Sequence, residues 1–222
     1  MSPIRPKYIT FDCYGTLTRF QMDELARKIY GAQMDEPKIR HFLKNFNDFR
    51  RDEILGDWKP YSEVLCNAVE RTCKKHGIAY RQEDGMAFYH AVPGWGPHPD
   101  VPAGLAKVAA KIPLVILSNA MDEQIMSNVD KLDAPFFKVF TAQQANAYKP
   151  RLQAFEYMLD SLGCGPEDIL HVSSSFRYDL MSAYDLDIKN KVWVDRSHEP
   201  ANPFYEYVRV DDISGLPAVV GL

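Results

Sequence analysis

The stretch "YITFDCYGTLT", residues 8–18, decides how the rest of the chain is read. A short apolar run leads into an acid, Asp12, and then into a turn at Gly15. A carboxylate at the end of a buried strand is costly unless other groups hold it, so its partners must come from elsewhere in the chain. By itself such an acid most simply caps a turn. Two residues on, where a second acid would complete a pair, stands Tyr14.

Working outward, five more β-type runs follow: "IPLVILSN", "FKVFTAQ", "DILHVSS", "NKVWVDR" and "EYVRVDD". Helical patterns of about ten residues or more lie between most of them. That alternation predicts an α/β fold with a doubly wound, mostly parallel, Rossmann-like sheet. The uninterrupted "LVIL" fits a strand buried on both faces.

The first ninety residues break the alternation. After Asp12 no second strand signal appears until residue 114, and the interval reads as helix. Tyr61, Val64, Leu65, Ala68, Val69 and Thr72 share one helical face. Pro60 is expected to start that helix, and Lys74, Lys75 and His76 precede Gly77 at its end. Further helices are expected over 22–30, 36–53 and 81–90. "VPGWGPHPDVP" closes the interval as a linker, in which Trp95 and His98 read as hinge or packing residues. The predicted organisation is a discontinuous core, 1–18 and 97–222, with a helical cap at 19–96. A cap joined by two connections is suited to closing over a site and excluding water.

Composition narrows the function. Of 222 residues, 26 are basic and 30 acidic, giving a net charge of −4, which argues against a nucleic-acid surface. No apolar run is long enough to span a bilayer, and the N-terminal residues lack a signal-peptide pattern. The four cysteines fall in no metal-type spacing. These features predict a reduced, cytoplasmic protein without membrane or nucleic-acid partners. Apolar cap helices are compatible with a homodimer.

Ligands of open parallel sheets bind beyond the carboxyl ends of the strands. Asp12, Ser118-Asn119 and Ser173-Ser174-Ser175 stand at three such ends. Lys149 precedes Pro150, which fits the first turn of a helix continued by Leu152, Phe155, Leu159 and Leu162. Asp179 sits one turn beyond "HVSSS". Each has a plain alternative: Lys149 as a solvated lysine, Ser118-Asn119 as a cap for a helix near Asp122, Asp179 as a helix-terminal carboxylate. His171 reads as a satisfied core group and Asp195-Arg196 as a structural ion pair.

Taken together and in order, "DCYGTLT", "ILSNA", "YKP" and "VSSSFRYDL" resemble the four motifs of the haloacid dehalogenase superfamily, and the resemblance runs from residue 8 to about 196. Phosphatases of that superfamily carry DxD in the first motif, the second acid protonating the leaving alkoxide. "DCYGT" is instead similar to the DxYGT of the L-2-haloacid dehalogenase branch. A halide leaves as a stable anion and needs no proton. The resemblance therefore implies a cofactor-free and metal-free hydrolase of short (S)-2-haloacids, with Asp12 as nucleophile through an aspartyl ester. It implies Lys149, Thr16, Ser118 and Ser173 as groups that hold Asp12 and the lysine, and Asp179 as the activator of water. Backbone N–H groups beside Tyr14 and at Ser118-Asn119 would bind the substrate carboxylate, with Ser175 at the site edge.

Three positions depart from the branch. Its cap arginine aligns with Phe42, leaving Arg40 and His41 as neighbouring basic candidates for substrate contact. A tyrosine six residues after the motif-three lysine is Phe155, with Tyr157 two further on. The fourth motif reads "SSSFRYD", with Ser175 in place of Asn and one residue added. Two alternatives follow: a phosphatase of the same fold with Mg²⁺ between Asp12 and Asp179, or a non-enzymatic relative that binds without turnover.

Overall fold

The computed structural model describes residues 4–222, which divide into two compact units. One comprises the described residues up to Arg19 together with Gly96–Leu222, and the other is Phe20–Trp95.

The first unit is built on six strands, β1 (Tyr8–Phe11), β2 (Leu114–Ser118), β3 (Phe136–Thr141), β4 (Ile169–Ser173), β5 (Lys191–Val194) and β6 (Val208–Val210). All described pairings are parallel and the spatial order is β3-β2-β1-β4-β5-β6. Parallel neighbours need crossovers that cover both faces, so the inner strands must be apolar throughout. Every residue of β2, β4 and β5 is buried, whereas edge strand β3 exposes Phe137 and Lys138. A charged residue on an edge discourages further strand addition.

The strand order reverses direction at β1, which lies between β2 and β4. At such a switch point the connections leave to opposite sides and a crevice opens at the strand ends. Asp12 follows β1 directly, Ser118 ends β2 and Ser173 ends β4, so all three reach that crevice edge.

The helices of the second unit are α1 (Met22–Tyr30), α2 (Glu36–Leu55), α3 (Tyr61–His76) and α4 (Gln82–Ala91). Asp35 caps α2 by accepting a hydrogen bond from Lys38 N at 3.0 Å. Pro60 flanks α3 as its N-cap rather than entering it, and α3 ends at Gly77 with φ +67° after Lys74, Lys75 and His76. Tyr30, Phe42, Phe46, Val64, Leu65, Ala68, Val69 and Phe88 fill the core of this unit.

In the first unit, α5 (Val101–Ala109), α6 (Asp122–Asp130), α7 (Ala142–Ala145), α8 (Leu152–Leu162), α9 (Met181–Asp185) and α10 (Leu216–Val219) connect or flank the strands. Pro150 was expected in the first turn of a helix. It lies instead before Arg151, the N-cap of α8, with its carbonyl accepting from Ser182 Oγ. The helix is offset because the backbone at Lys149 is held by another residue, as shown below. No helix among the described residues is long and apolar enough to cross a membrane.

One close approach yields a stability prediction. A Cβ on Gly104, inside α5, would sit 2.9 Å from the carbonyl oxygen of Ile213. Gly104→Ala is expected to lower stability by about 1–3 kcal/mol through overpacking, outweighing the gain of roughly 1 kcal/mol in helix propensity. Urea denaturation of the two proteins checks the sign.

Candidate active site

Lys149 is the centre of the site. Its side chain is fully buried, and its three ammonium protons have three acceptors. Nζ donates to Asp12 Oδ1 at 2.9 Å, to Asp179 Oδ1 at 2.7 Å and to the Leu117 carbonyl at 2.8 Å. A buried ammonium without such partners would be neutralised or expelled.

The backbone of Lys149 is fixed just as closely. Asn119 accepts from Lys149 N at 2.7 Å and donates through Nδ2 to Lys149 O at 2.9 Å. Ser118 and Asn119 therefore do not cap α6, whose N-cap is Met121. Asn119, expected to meet substrate through its backbone, uses its side chain to hold the lysine loop. The lysine's β2 contact comes from Leu117, not Ser118; the Ser118 hydroxyl is buried without a protein hydrogen-bond partner.

Asp12 receives a second donor from its own turn. Thr16 Oγ1 donates to Asp12 Oδ2 at 2.6 Å while accepting from Ser174 N at 2.9 Å, and it lies 3.1 Å from Ser174 Oγ. Ser173, expected to orient the carboxylate, instead accepts from Ser175 N and shapes the following turn. Its neighbour Ser174 acts on Asp12 only through Thr16, whose hydroxyl its backbone N–H holds. The turn itself needs Gly15, whose φ of +96° disfavours any side chain. Arg196 holds the turn from outside, donating from Nε and Nη2 to the Thr16 carbonyl and pairing with both oxygens of Asp100. Asp195 pairs separately with Arg209, so Asp195 and Arg196 are not partners of one another. His98 donates through its backbone to Leu17 O, while burial and the nearby Arg196 charge push its imidazole pKa down to about 4.

Asp179 lies in a single π-helical turn, Phe176–Leu180, and is completely buried. Its Oδ1 accepts from Lys149 and lies 3.0 Å from His171 Nε2, while Oδ2 has no protein partner. It is no solvated helix-end carboxylate. Ser175 caps that turn, accepting from Tyr178 N and donating to Glu199. The Glu199 carboxylate also accepts from Phe176 N and Arg177 N, as suits an anion at a helix start. Tyr14 donates to Asn128 Oδ1 at 2.8 Å.

Two carboxylates share one ammonium, and the balance of partners separates them. Burial raises the Asp12 pKa and the Asp179 charge adds to it, while Lys149 and Thr16 offset this only in part. Burial acts on Asp179 too, but Lys149 and His171 outweigh it and hold that carboxyl below the usual range. Burial disfavours the Lys149 ammonium, yet the two carboxylates prevail and raise its pKa. Access also differs: the Asp12 side chain is 10% exposed, against 1% for Lys149 and 0% for Asp179. Of the three charges, only Asp12 is presented to an incoming molecule.

Arg40 and His41 belong to the second unit. Arg40 is exposed and pairs with Glu36, and the His41 ring lies against His76. Phe42, aligned with the missing arginine, is 1% exposed and packs on Tyr30 and His76. Phe155 is buried with its ring edge to face with His171. Sequence reading missed Asn128 and Glu199 altogether, and it named Ser174, His171 and Arg196 without the contacts they make here. Ser174 and His171 carried a signal as polar residues inside a buried strand or at its end, whereas Asn128 and Glu199 carried none.

Residues 6–186 match the model of the haloacid dehalogenase-like hydrolases. This chain belongs to that family. It is 31% identical over 213 residues to (S)-2-haloacid dehalogenase 4A of Burkholderia cepacia, covering 89% of this chain and 85% of that protein. It is 26% identical over 171 residues to haloacetate dehalogenase H-2 of Moraxella sp. (strain B), covering 75% and 76%. The L-2-haloacid dehalogenase of Xanthobacter autotrophicus, solved with chloropropionic acid covalently bound, has a TM-score of 0.78 at 18% identity, covering 97% and 98%. A magnesium-bound HAD-hydrolase of Bacillus subtilis has a TM-score of 0.82 at 15% identity, covering 98% and 100%. A dehalogenase with a covalently bound acid and a magnesium-bound hydrolase thus share the fold, so fold alone does not assign the chemistry.

Lys149→Met would leave two buried carboxylates facing each other. A loss of about 3–5 kcal/mol is expected at neutral pH. Because both acids would then have raised pKa values, the loss should shrink as pH falls and one of them protonates. Denaturation curves of the variant at pH 7 and pH 5 test this.

Proposed function

We propose that the protein hydrolyses the carbon–halogen bond of short (S)-2-haloacids, giving (R)-2-hydroxyacids and halide. The observation that carries the reading is the Lys149 ammonium, which binds both carboxylates while leaving Asp12 alone accessible. Its family membership and the haloacid dehalogenases among its relatives support it.

Asp12 attacks the carbon from the side opposite the halogen, forming an ester bond as the carbon–halogen bond breaks and halide leaves with its electron pair. Inversion at that carbon turns an S substrate into an R product. The pull of Lys149 on Oδ1 and Thr16 on Oδ2 fixes the carboxylate plane. Backbone N–H groups beside Tyr14 and at Ser118-Asn119 receive the substrate carboxylate. Water then adds to the Asp12 acyl carbon and gives its proton to Asp179 Oδ2, the oxygen without a protein partner. Cleavage of the acyl–oxygen bond releases the hydroxyacid, whose oxygen takes back the proton from Asp179 Oδ2, and Asp12 returns to the carboxylate by losing the water's second proton to solvent.

The phosphatase alternative fits the residues less well. A Mg²⁺ held by Asp12 and Asp179 would lie beside the Lys149 ammonium that already bonds both acids, a second cation at the same pair. Tyr14, bonded to Asn128, supplies no carboxylic acid for a leaving alkoxide.

Purified protein given (S)- and (R)-2-chloropropionate in EDTA should release chloride from the S form selectively. Asp12→Asn should lower the rate by at least about a thousandfold. Phosphate-ester turnover that requires Mg²⁺, with no halide release, would overturn the reading. The pH profile gives an independent check. Asp12 must be ionised to attack and its pKa is raised, so kcat/KM should fall with acid at a pH above the ordinary carboxylate value of about 3.9.

A further inference from the structure

Resting on that proposed reaction, we propose that His171 is a positioning residue that aims Asp179 at the water cleaving the Asp12 ester. His171 lies in the middle of β4, fully buried, in register with Thr10 on β1 and Lys191 on β5. Its Nε2 meets Asp179 Oδ1 at 3.0 Å. A carboxylate can only accept, so Nε2 donates, which leaves Nδ1 for Thr10 Oγ1 at 2.8 Å. The Phe155 ring closes the imidazole's side at 5.0 Å between centroids and brings no hydroxyl of its own.

These contacts fix the ring on three sides. Thr10 is completely buried, so the chain from Asp179 through His171 ends in the core. It holds the carboxylate and does not conduct a proton to solvent. With Lys149 and His171 both on Oδ1, rotation of the Asp179 carboxylate is resisted, and Oδ2, buried without a protein partner, is the oxygen left to accept from a water enclosed with the ester. The second donor comes into play after the first chemical step. Once Asp12 is an ester it has lost its charge, and Lys149 is freed from one of its two anions. His171 keeps Oδ1 in place through that change.

The groups facing this pair are few. Asp179 faces Lys149 and, across it, Asp12; the imidazole faces Thr10, Phe155 and the neighbouring Lys191, whose Nζ is tied to Ile188 O. Removing the His171 donor also removes one of the influences that lower the Asp179 pKa. The pH dependence of ester hydrolysis should then move upward, while that of ester formation, set by Asp12, moves little.

The test is rapid-quench turnover of (S)-2-chloropropionate by the full chain and by His171→Leu, His171→Gln and Thr10→Val. Halide release in the first turnover and the mass of the Asp12 peptide are both followed. In His171→Leu, ester hydrolysis should slow by about tenfold to a hundredfold, with ester accumulating on Asp12 and the first-turnover halide burst retained. His171→Gln, which keeps an N–H donor, should recover much of the hydrolysis rate, and Thr10→Val should show the same defect more weakly. If His171→Leu does not fold, the other two variants decide. Equal slowing of both steps, or no ester accumulation in an otherwise active variant, would overturn the role of His171 alone. Absence of any halide release from the unmodified protein would overturn the proposed reaction, and the role of His171 with it.

Discussion

The three hydrogen bonds of one buried ammonium organise this site. Lys149 reaches β1 through Asp12, β2 through the Leu117 carbonyl and the turn after β4 through Asp179. Those elements surround the reversal of strand order, so one side chain ties together the carboxyl ends of the three central strands. The cost of burying its charge is offset only when every donor is used. The Asn119 clamp on its backbone and the Thr16 bond to Asp12 follow from that constraint, because each keeps an end of the network at hydrogen-bonding distance.

Chemistry follows from the imbalance of charge. One ammonium cannot fully compensate two carboxylates, and the difference falls on the acid with weaker support. Asp179 gains the extra donor of His171, whereas Asp12 gains Thr16 and partial exposure. The result is one carboxylate sealed and stabilised as an anion, and another accessible with a raised pKa. In the proposed reaction, such division of two acids by environment separates a nucleophile from a supporting base. Tyr14 suits the proposed reaction, since a halide leaving group needs no acid.

Much of this was legible in the sequence, for a physical reason. Strand and helix periods report burial directly, so "LVIL" and the Tyr61–Thr72 face announced a covered parallel sheet and a packed helix. Asp12, Lys149 and Asp179 stood out as polar groups beside buried strands, and the structure brings all three together. Among the three serines ending β4, Ser174 meets Thr16 through its backbone N–H, a contact that residue type does not announce, while Ser173 turns to the backbone of Ser175. His171 was read correctly as a satisfied core group, but its partner lies eight residues on, across a π-helical turn no periodicity announces. The contact of Arg196 with the Thr16 carbonyl spans the whole fold and leaves no local trace. The position aligned with the branch's cap arginine gives the least information, because Phe42 there is a core residue of its own unit.

The account stands or falls on covalent participation by Asp12. A single turnover of (S)-2-chloropropionate with enzyme in excess, run in ¹⁸O-labelled water, reads it directly. Ester formation followed by attack of water on the acyl carbon predicts one labelled oxygen in the Asp12 carboxylate and an unlabelled hydroxyl in the product. Label in the product hydroxyl, with Asp12 unlabelled, would show that water attacks the substrate carbon itself and would contradict the account.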